Sequence, residues 1–136
     1  MTKAFPYVAL FGESFSPNEA EKNTDIKFTV KNEVGEIGKR GKYKDKPYNF
    51  GYALLEPPKG IDDLQQIEWL VDTMVKNICI LRKCGVIDGK FHVTYAYDSQ
   101  CNIEYEPQFL SKLVEIGLAF TISCYEDESE FENDIE

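Results

Sequence analysis

The chain has 136 residues, of which 43% are hydrophobic and 13% aromatic, so it has the size and composition of one globular domain and is not a wholly disordered, collagen-like or coiled-coil chain. Its 15 basic and 24 acidic side chains give a formal net charge of −9, which disfavours a general binder of nucleic acid or anionic membranes. The longest apolar run, residues 7–11, is too short to span a bilayer, and no secretory signal pattern opens the sequence, so we expect a cytoplasmic protein.

The N-terminal segment predicts a strand followed by a short helix. Residues 5–11 are apolar and aromatic, which is typical of a buried strand. Ser16, Pro17 and Glu19 then have the spacing of a capping box with proline at the first helical position. We therefore expect a helix to begin at this point.

Two strands and one long helix are predicted next. Apolar and polar residues alternate over 26–34 and again over 48–54, as in strands with one buried face. Apolar residues then recur at spacings of three and four over 62–84, which predicts an amphipathic helix. Its first turn is acidic and its last turn is basic, as the helix dipole favours.

The last part of the chain predicts a strand over 91–97, a helix over 107–116 and a strand over 118–124. The resulting order β-α-β-β-α-β-α-β indicates an α+β fold, a two-layer sandwich with helices on one face of a mostly antiparallel sheet. Its first six elements match a ferredoxin-like βαββαβ core, to which a helix and a strand are added. We expect one domain over residues 1–125.

Most of the acidic charge lies in the last eleven residues, 126–136, which contain seven carboxylate side chains and no base. Residues 1–125 retain 17 acidic against 15 basic side chains, so the expected folded body is nearly neutral. We expect a disordered tail, because like charges repel and few apolar groups are present. It either keeps the protein soluble or docks to a partner, with Phe131 and Ile135 on one face of a helix formed on binding.

A basic segment lies between the second and third predicted strands. Glycine and proline indicate a loop there. It is either a solvated hairpin tip that attracts the acidic tail or a site for phosphate or an acidic surface, although no P-loop pattern is present. Its five basic residues are Lys39, Arg40, Lys42, Lys44 and Lys46.

The single histidine is the only candidate base for a nucleophilic site. His92 lies on the strand face opposite Phe91 and Val93, beside Thr94. Asp98 is about 20 Å further along an extended strand, too far to orient the imidazole ring. We therefore interpret His92 as a histidine on the sheet surface and predict no catalytic residue.

The cysteines do not have the spacing of a metal site. Cys79 and Cys84 point in different directions on one helix, and no CxxC motif or second histidine completes a site with Cys101 and Cys124. We expect four buried thiols that pack as small hydrophobic side chains, without disulfides, metal or cofactor.

A pair of glutamates and a stripe of aromatic residues have structural rather than functional interpretations. Glu104 and Glu106 flank a strand end, where solvated charge is ordinary. An aromatic stripe on the predicted strands has the chemistry to stack nucleobases, but no basic residue lies within these strands. We therefore assign to the core its members Tyr48, Phe50, Tyr52, Tyr95 and Tyr97.

The chain resembles a bacterial family known as domain of unknown function 4279. The similarity lies in the aromatic strand 7–11 followed by Ser16-Pro17-Asn18-Glu19, the glycine-containing basic loop, the aromatic strand 48–54 and the segment 107–120. The resemblance covers about residues 5–125. It implies a small bacterial cytoplasmic protein of unassigned activity and supplies no catalytic residues.

Two classes of function fit the sequence. The favoured one is a non-enzymatic protein-binding module, such as an immunity-type protein that neutralises a basic toxin partner by electrostatic complementarity. The alternative is a small-molecule or anionic-ligand binding protein, or an enzyme, with a pocket near residues 39–46.

Overall fold

The structure, a computed structural model, describes residues 2–127. Within this range the chain forms five strands and three α-helices around one hydrophobic core. In chain order they are β1 (Lys3–Gly12), α1 (Pro17–Asn23), β2 (Val30–Asn32), β3 (Gly51–Leu55), α2 (Asp63–Lys83), β4 (Asp88–Tyr97), α3 (Pro107–Ile116) and β5 (Ala119–Glu126). No helix within residues 2–127 is long and apolar enough to cross a bilayer.

The five strands form one sheet in the order β2-β3-β1-β4-β5. Three neighbouring pairs are antiparallel, and only β4 and β5 run parallel. Because β3 lies between β1 and β2, the β1-α1-β2 unit is split, as expected from the element order. The α+β class and the mostly antiparallel sheet are confirmed, and the ferredoxin-like assignment stays a prediction.

The helices cover one face of the sheet. On β1, Val8 and Leu10 are fully buried and belong to the same cluster as the α2 side chains Leu70 and Met74. Asp62 caps the first turn of α2, because its carboxylate accepts a hydrogen bond from the Gln65 amide at 2.8 Å. The helix predicted over 62–84 is confirmed, and it covers Asp63–Lys83.

The opposite face of the sheet, which we call the open face, carries no helix from the described part of the chain. Residues on this face alternate with the core residues along each strand. Phe5 and Phe11 on β1, Val30 on β2 and Tyr125 on β5 are all exposed. His92, also on this face, is buried beneath its neighbours rather than lying on the surface.

The strand predicted over 26–34 is much shorter, because side chains take up the amides that a sheet would use. The Ile26 amide donates to the Thr24 hydroxyl, and the Phe28 amide donates to the Glu21 carboxylate. Regular pairing with β3 is therefore limited to residues 30–32.

The core assignment of the aromatic stripe is wrong for most of its members. Tyr48 and Phe50 precede β3 and pack with Tyr43 in the loop, with ring centroids 5.0–5.9 Å apart. Tyr52 lies on the open face, since it pairs with Phe11 across the strands. Only Tyr95 joins the buried core cluster.

The contact between Gly85, just after α2, and the backbone at Ser14 can be tested by substituting glycines. Gly85 has φ +109°, and a Cβ there would lie 2.4 Å from the Ser14 carbonyl oxygen. Gly60 also has a positive φ, but a Cβ there would meet nothing within 4 Å. Gly60→Ala is expected to lower the free energy of unfolding by about 1 kcal/mol, and Gly85→Ala by about 3 kcal/mol, since backbone strain and overlap add. Urea denaturation of both variants measures the difference, and equal losses would contradict the close contact.

Candidate functional site

The most chemically distinctive concavity is a cleft of about 410 Å³ between the first half of α2 and the start of α3. Its walls combine carboxylates with aromatic rings. We call it the acidic cleft, and the residues that define it are Glu68, Asp72, Glu104, Tyr105, Glu106, Phe109 and Lys112.

The four carboxylates of the cleft lie at the surface because of where they stand on a helix and on an extended segment. Glu68 and Asp72 are four residues apart on α2, so they lie on one face, and both are exposed. Before α3 the chain is extended, so Glu104 and Glu106 point outward while Tyr105 points inward against the core. Acidic groups therefore surround a partly buried phenol ring.

The aromatic wall of the cleft is held by stacking and by a hydrogen bond. The rings of Tyr105 and Phe109 are stacked, with centroids 5.1 Å apart and planes 13° apart. The hydroxyls of Tyr105 and Tyr95 are 2.6 Å apart, close enough for a hydrogen bond between the two phenols. Burial raises the pKa of both tyrosines, so both phenols stay neutral at physiological pH.

The charge of the cleft is strongly unbalanced. Four carboxylates line it with a single lysine, Lys112. The Lys112 ammonium donates to the Asp72 carboxylate at 2.8 Å. This hydrogen bond and the attraction of Asp72, with smaller contributions from Glu68 and Glu115, raise the pKa of Lys112. The raised pKa of Lys112 thus reflects mainly its contact with Asp72.

A larger groove of about 1060 Å³ lies beside Trp69, between α2 and the segment 56–60. Its charges are balanced, because three carboxylates face three lysines, and Lys76 and Asp25 pair across it at 3.4 Å. The groove therefore favours neither cationic nor anionic ligands. The acidic cleft, whose charges are unbalanced, is the better candidate for a binding site.

The basic loop forms a closed hairpin tip. The Gly38 amide donates to the Lys46 carbonyl, and the Asp45 amide donates to the Gly38 carbonyl, both at 2.9 Å. A short 3₁₀ turn, Gly41–Tyr43, lies at its end. The backbone of the loop is thus held in one shape by hydrogen bonds within the hairpin.

Only two of the five predicted basic residues of the loop line one cavity in the structure. Lys39 and Arg40 line a small cavity of about 280 Å³ with Lys31 and Tyr48. The other three predicted lysines do not line it, and Lys42 lies over the Tyr43 ring instead. Within residues 2–127, no ion pair involves Lys39, Arg40, Lys42, Lys44 or Lys46.

Within residues 2–127, the imidazole of His92 has two hydroxyl groups and no carboxylate as hydrogen-bond partners. Its Nδ1 lies 2.6 Å from the Thr121 hydroxyl and its Nε2 lies 3.0 Å from the Thr94 hydroxyl. Burial, and to a lesser degree the charge of Lys90, lowers the pKa of His92. Both ring nitrogens of the neutral imidazole therefore contact threonine hydroxyls.

The cysteine prediction is partly wrong. All four cysteines are free, but Cys79 and Cys124 are exposed, because they lie on the outer face of α2 and on the outermost strand. Cys84 and Cys101 are partly buried, and burial raises the pKa of each thiol. No three potential metal ligands cluster anywhere in residues 2–127.

The predicted tail begins one residue too early, because β5 extends to Glu126. Phe131 and Ile135, the candidate docking residues, lie outside the described residues. The docking hypothesis for residues 128–136 stays a prediction.

The acidic cleft was not found by sequence reasoning. Its carboxylates come from positions more than 30 residues apart, and Glu104 and Glu106 were assigned to ordinary solvated charge. Two signals were available: the spacing of Glu68 and Asp72 on one helix face, and an aromatic residue between two glutamates at 104–106. Their proximity depends on α3 packing against α2.

Comparison of the chain with protein-family models, curated proteins and solved structures finds no significant match. The resemblance to domain of unknown function 4279 therefore stays a prediction.

The lowered pKa of His92 predicts a pH dependence of stability. When the pH falls below the ordinary histidine pKa of about 6.5, the unfolded chain takes up a proton that the folded protein binds only at lower pH. The free energy of unfolding is therefore expected to fall through this window. Urea midpoints at about pH 7.5 and about pH 5.5 measure it, and His92→Gln should show a smaller loss than the native protein. Identical losses in both proteins would contradict this origin.

Proposed function

We propose that this chain is a non-enzymatic protein-binding module of the bacterial cytoplasm that receives a basic partner in its acidic cleft. The observation that carries the proposal is the cleft itself, where four carboxylates and one lysine surround the stacked rings of Tyr105 and Phe109. An immunity-type protein that neutralises a basic toxin domain would act through such a surface.

The cleft fits an arginine or lysine side chain of the partner. Its carboxylates accept charge-assisted hydrogen bonds, and bidentate pairs with arginine are the strongest of these. The ring of Tyr105 offers an aromatic surface against which the apolar part of such a side chain packs. The Lys112 ammonium already donates a hydrogen bond to the Asp72 carboxylate. A cation of the partner would bind the other carboxylates of the cleft in the same way.

Charge also supports the proposal at longer range. The chain has a net charge of −9, so a basic partner is attracted before contact, and its association rate is expected to fall as salt is added. Short-range contacts in the cleft then determine how slowly the complex dissociates.

The cleft is tested by charge reversal with a matched control. We expect Glu68→Lys with Glu104→Lys to weaken binding of an arginine-rich peptide about tenfold or more, because attraction in the cleft becomes repulsion. The control, Glu13→Lys with Glu19→Lys, makes the same change in net charge at exposed carboxylates outside the cleft. Isothermal titration at low salt measures both, and equal weakening in the two variants would show that only overall charge matters.

A second candidate function is binding of a small anion at the basic loop. The observation that favours it is the cavity in which Lys39 and Arg40 meet Lys31. The Lys31 ammonium is also bonded to the Glu21 carboxylate on α1, which holds it in place. A phosphate-bearing ligand would meet three cationic side chains in this cavity, against one carboxylate, Glu36.

Inorganic pyrophosphate is a suitable probe for this second candidate. Lys39→Ala with Arg40→Ala is expected to abolish its binding, while Lys44→Ala with Lys46→Ala removes equal charge from the same loop and leaves binding within about twofold. Titration calorimetry measures the affinities, and melting temperatures confirm that the loop still folds. Equal loss in both variants, or no binding by the native chain, would rule the cavity out.

A further inference from the structure

The outer edge of β5 is a pairing surface that no described segment covers. β5 is the last strand of the sheet, and its eight residues pair only with β4. An exposed edge of this length presents a row of unpaired backbone donors and acceptors to another strand. Residues 119–125 carry no charge, although charged side chains are the usual protection of a sheet edge.

Helix α3 adds an apolar surface beside this edge. Lys112 faces α2, where it bonds to Asp72, and Leu110 and Val114 lie about 160–200° around the helix axis from it. These two side chains therefore point away from α2, toward the β5 edge of the sheet. Leu110 is 45% exposed and Val114 is 81% exposed, and Ile122, which pairs with the core residue Val93 and so lies on the helix-covered side of β5, is 45% exposed.

Basic groups lie near the beginning of β5, and a carboxylate lies at its end. Near its beginning, Arg82 donates to the Ile116 carbonyl at 2.8 Å, and Lys90 is the strand partner of Ala119. At its other end is Glu126. An antiparallel second copy would place the acidic end of each β5 beside the basic end of the other, whereas a parallel copy would place like charges together.

We propose that this chain forms a symmetric dimer in which the β5 strands of two copies pair antiparallel. A twofold axis perpendicular to the sheet would join the two sheets into one of ten strands. The same axis keeps the helices of both copies on the same face, so that α3 of one copy faces α3 of the other. This inference is independent of the acidic cleft.

In such a dimer, the distance between the two α3 helices agrees with the usual distance between packed helices. The Phe109 ring packs against both Phe91 on β4 and Phe120 on β5, with centroids 6.4 and 6.1 Å away, so α3 lies above the line between the two strands. Across a β5–β5 pair, the two α3 axes would then be two strand spacings apart, about 9.6 Å. Packed helices are separated by about 8–10 Å, so Leu110 and Val114 would fill the space between them.

The buried area is sufficient for a specific but modest dimer. An eight-residue strand is about 26 Å long, and one sheet layer with one helix layer is about 20 Å deep. The two copies together would bury on the order of 1,000 Å², the lower limit for a specific interface. We therefore expect dissociation in the micromolar range of concentration.

Sedimentation equilibrium of the full chain under reducing conditions tests the dimer. Between about 1 and about 100 µM, the native protein is expected to shift from the chain mass toward twice that mass. Val114→Lys, at the more exposed of the two apolar α3 positions, and Ile122→Lys on the edge should both remain monomeric. Ile87→Lys, a matched control at a position that is 68% exposed on the open-face side, should dimerise as the native protein does.

Hydrogen exchange locates the contact independently of mutation. The amides of residues 119–125 are expected to exchange more slowly at the higher protein concentration, while those of β2 at the other edge should not change. A native chain that stays monomeric at both concentrations would overturn the proposal. So would a dimer that dissociates with Ile87→Lys and persists with Val114→Lys and Ile122→Lys, because its interface would lie on the open face.

Discussion

The burial of one face of α2 against the central strand β1 is the interaction on which the rest of this structure depends. Seven α2 side chains are buried along a helix about 31 Å long. The Asp63 carboxylate also accepts a hydrogen bond from the Ala4 amide of β1 at 2.8 Å. Both shorter helices pack against α2, so its position sets theirs.

This arrangement creates the acidic cleft because α3 is less than half the length of α2. The start of α3 meets the first half of α2 without covering Glu68 and Asp72, and the extended segment before α3 brings Glu104 and Glu106 opposite them. Tyr105 anchors that segment through its contacts with Phe109 and Phe120. The charge of the cleft is thus a consequence of how two helices of unequal length are packed.

The same layering leaves two other surfaces accessible. All three helices contribute to the core on one face, so the aromatic residues of the other face, such as Phe5 and Phe11, have no helix over them in residues 2–127. The parallel addition of β5 places at the edge a strand whose residues 119–125 carry no charge. A small domain with one-sided packing therefore has several surfaces suited to protein contact, and their chemistries differ enough to be tested separately.

The sequence by itself determined the elements with strong local signals: the apolar strand β1, the capped start of α1, the long amphipathic α2 and the alternating strand β4. It also identified the basic loop, because composition is local. It failed where side-chain contacts between residues close in sequence replaced strand pairing. At 26–34 the Thr24 hydroxyl and the Glu21 carboxylate bind the amides, and Tyr48 and Phe50 pack against Tyr43 in the loop. Only the tertiary structure decided that Thr121 reaches His92, that Lys31 joins Lys39, and that two pairs of carboxylates distant in sequence share a cleft. Strand pairing and helix packing join residues far apart in the chain, and periodicity carries no information about such partners.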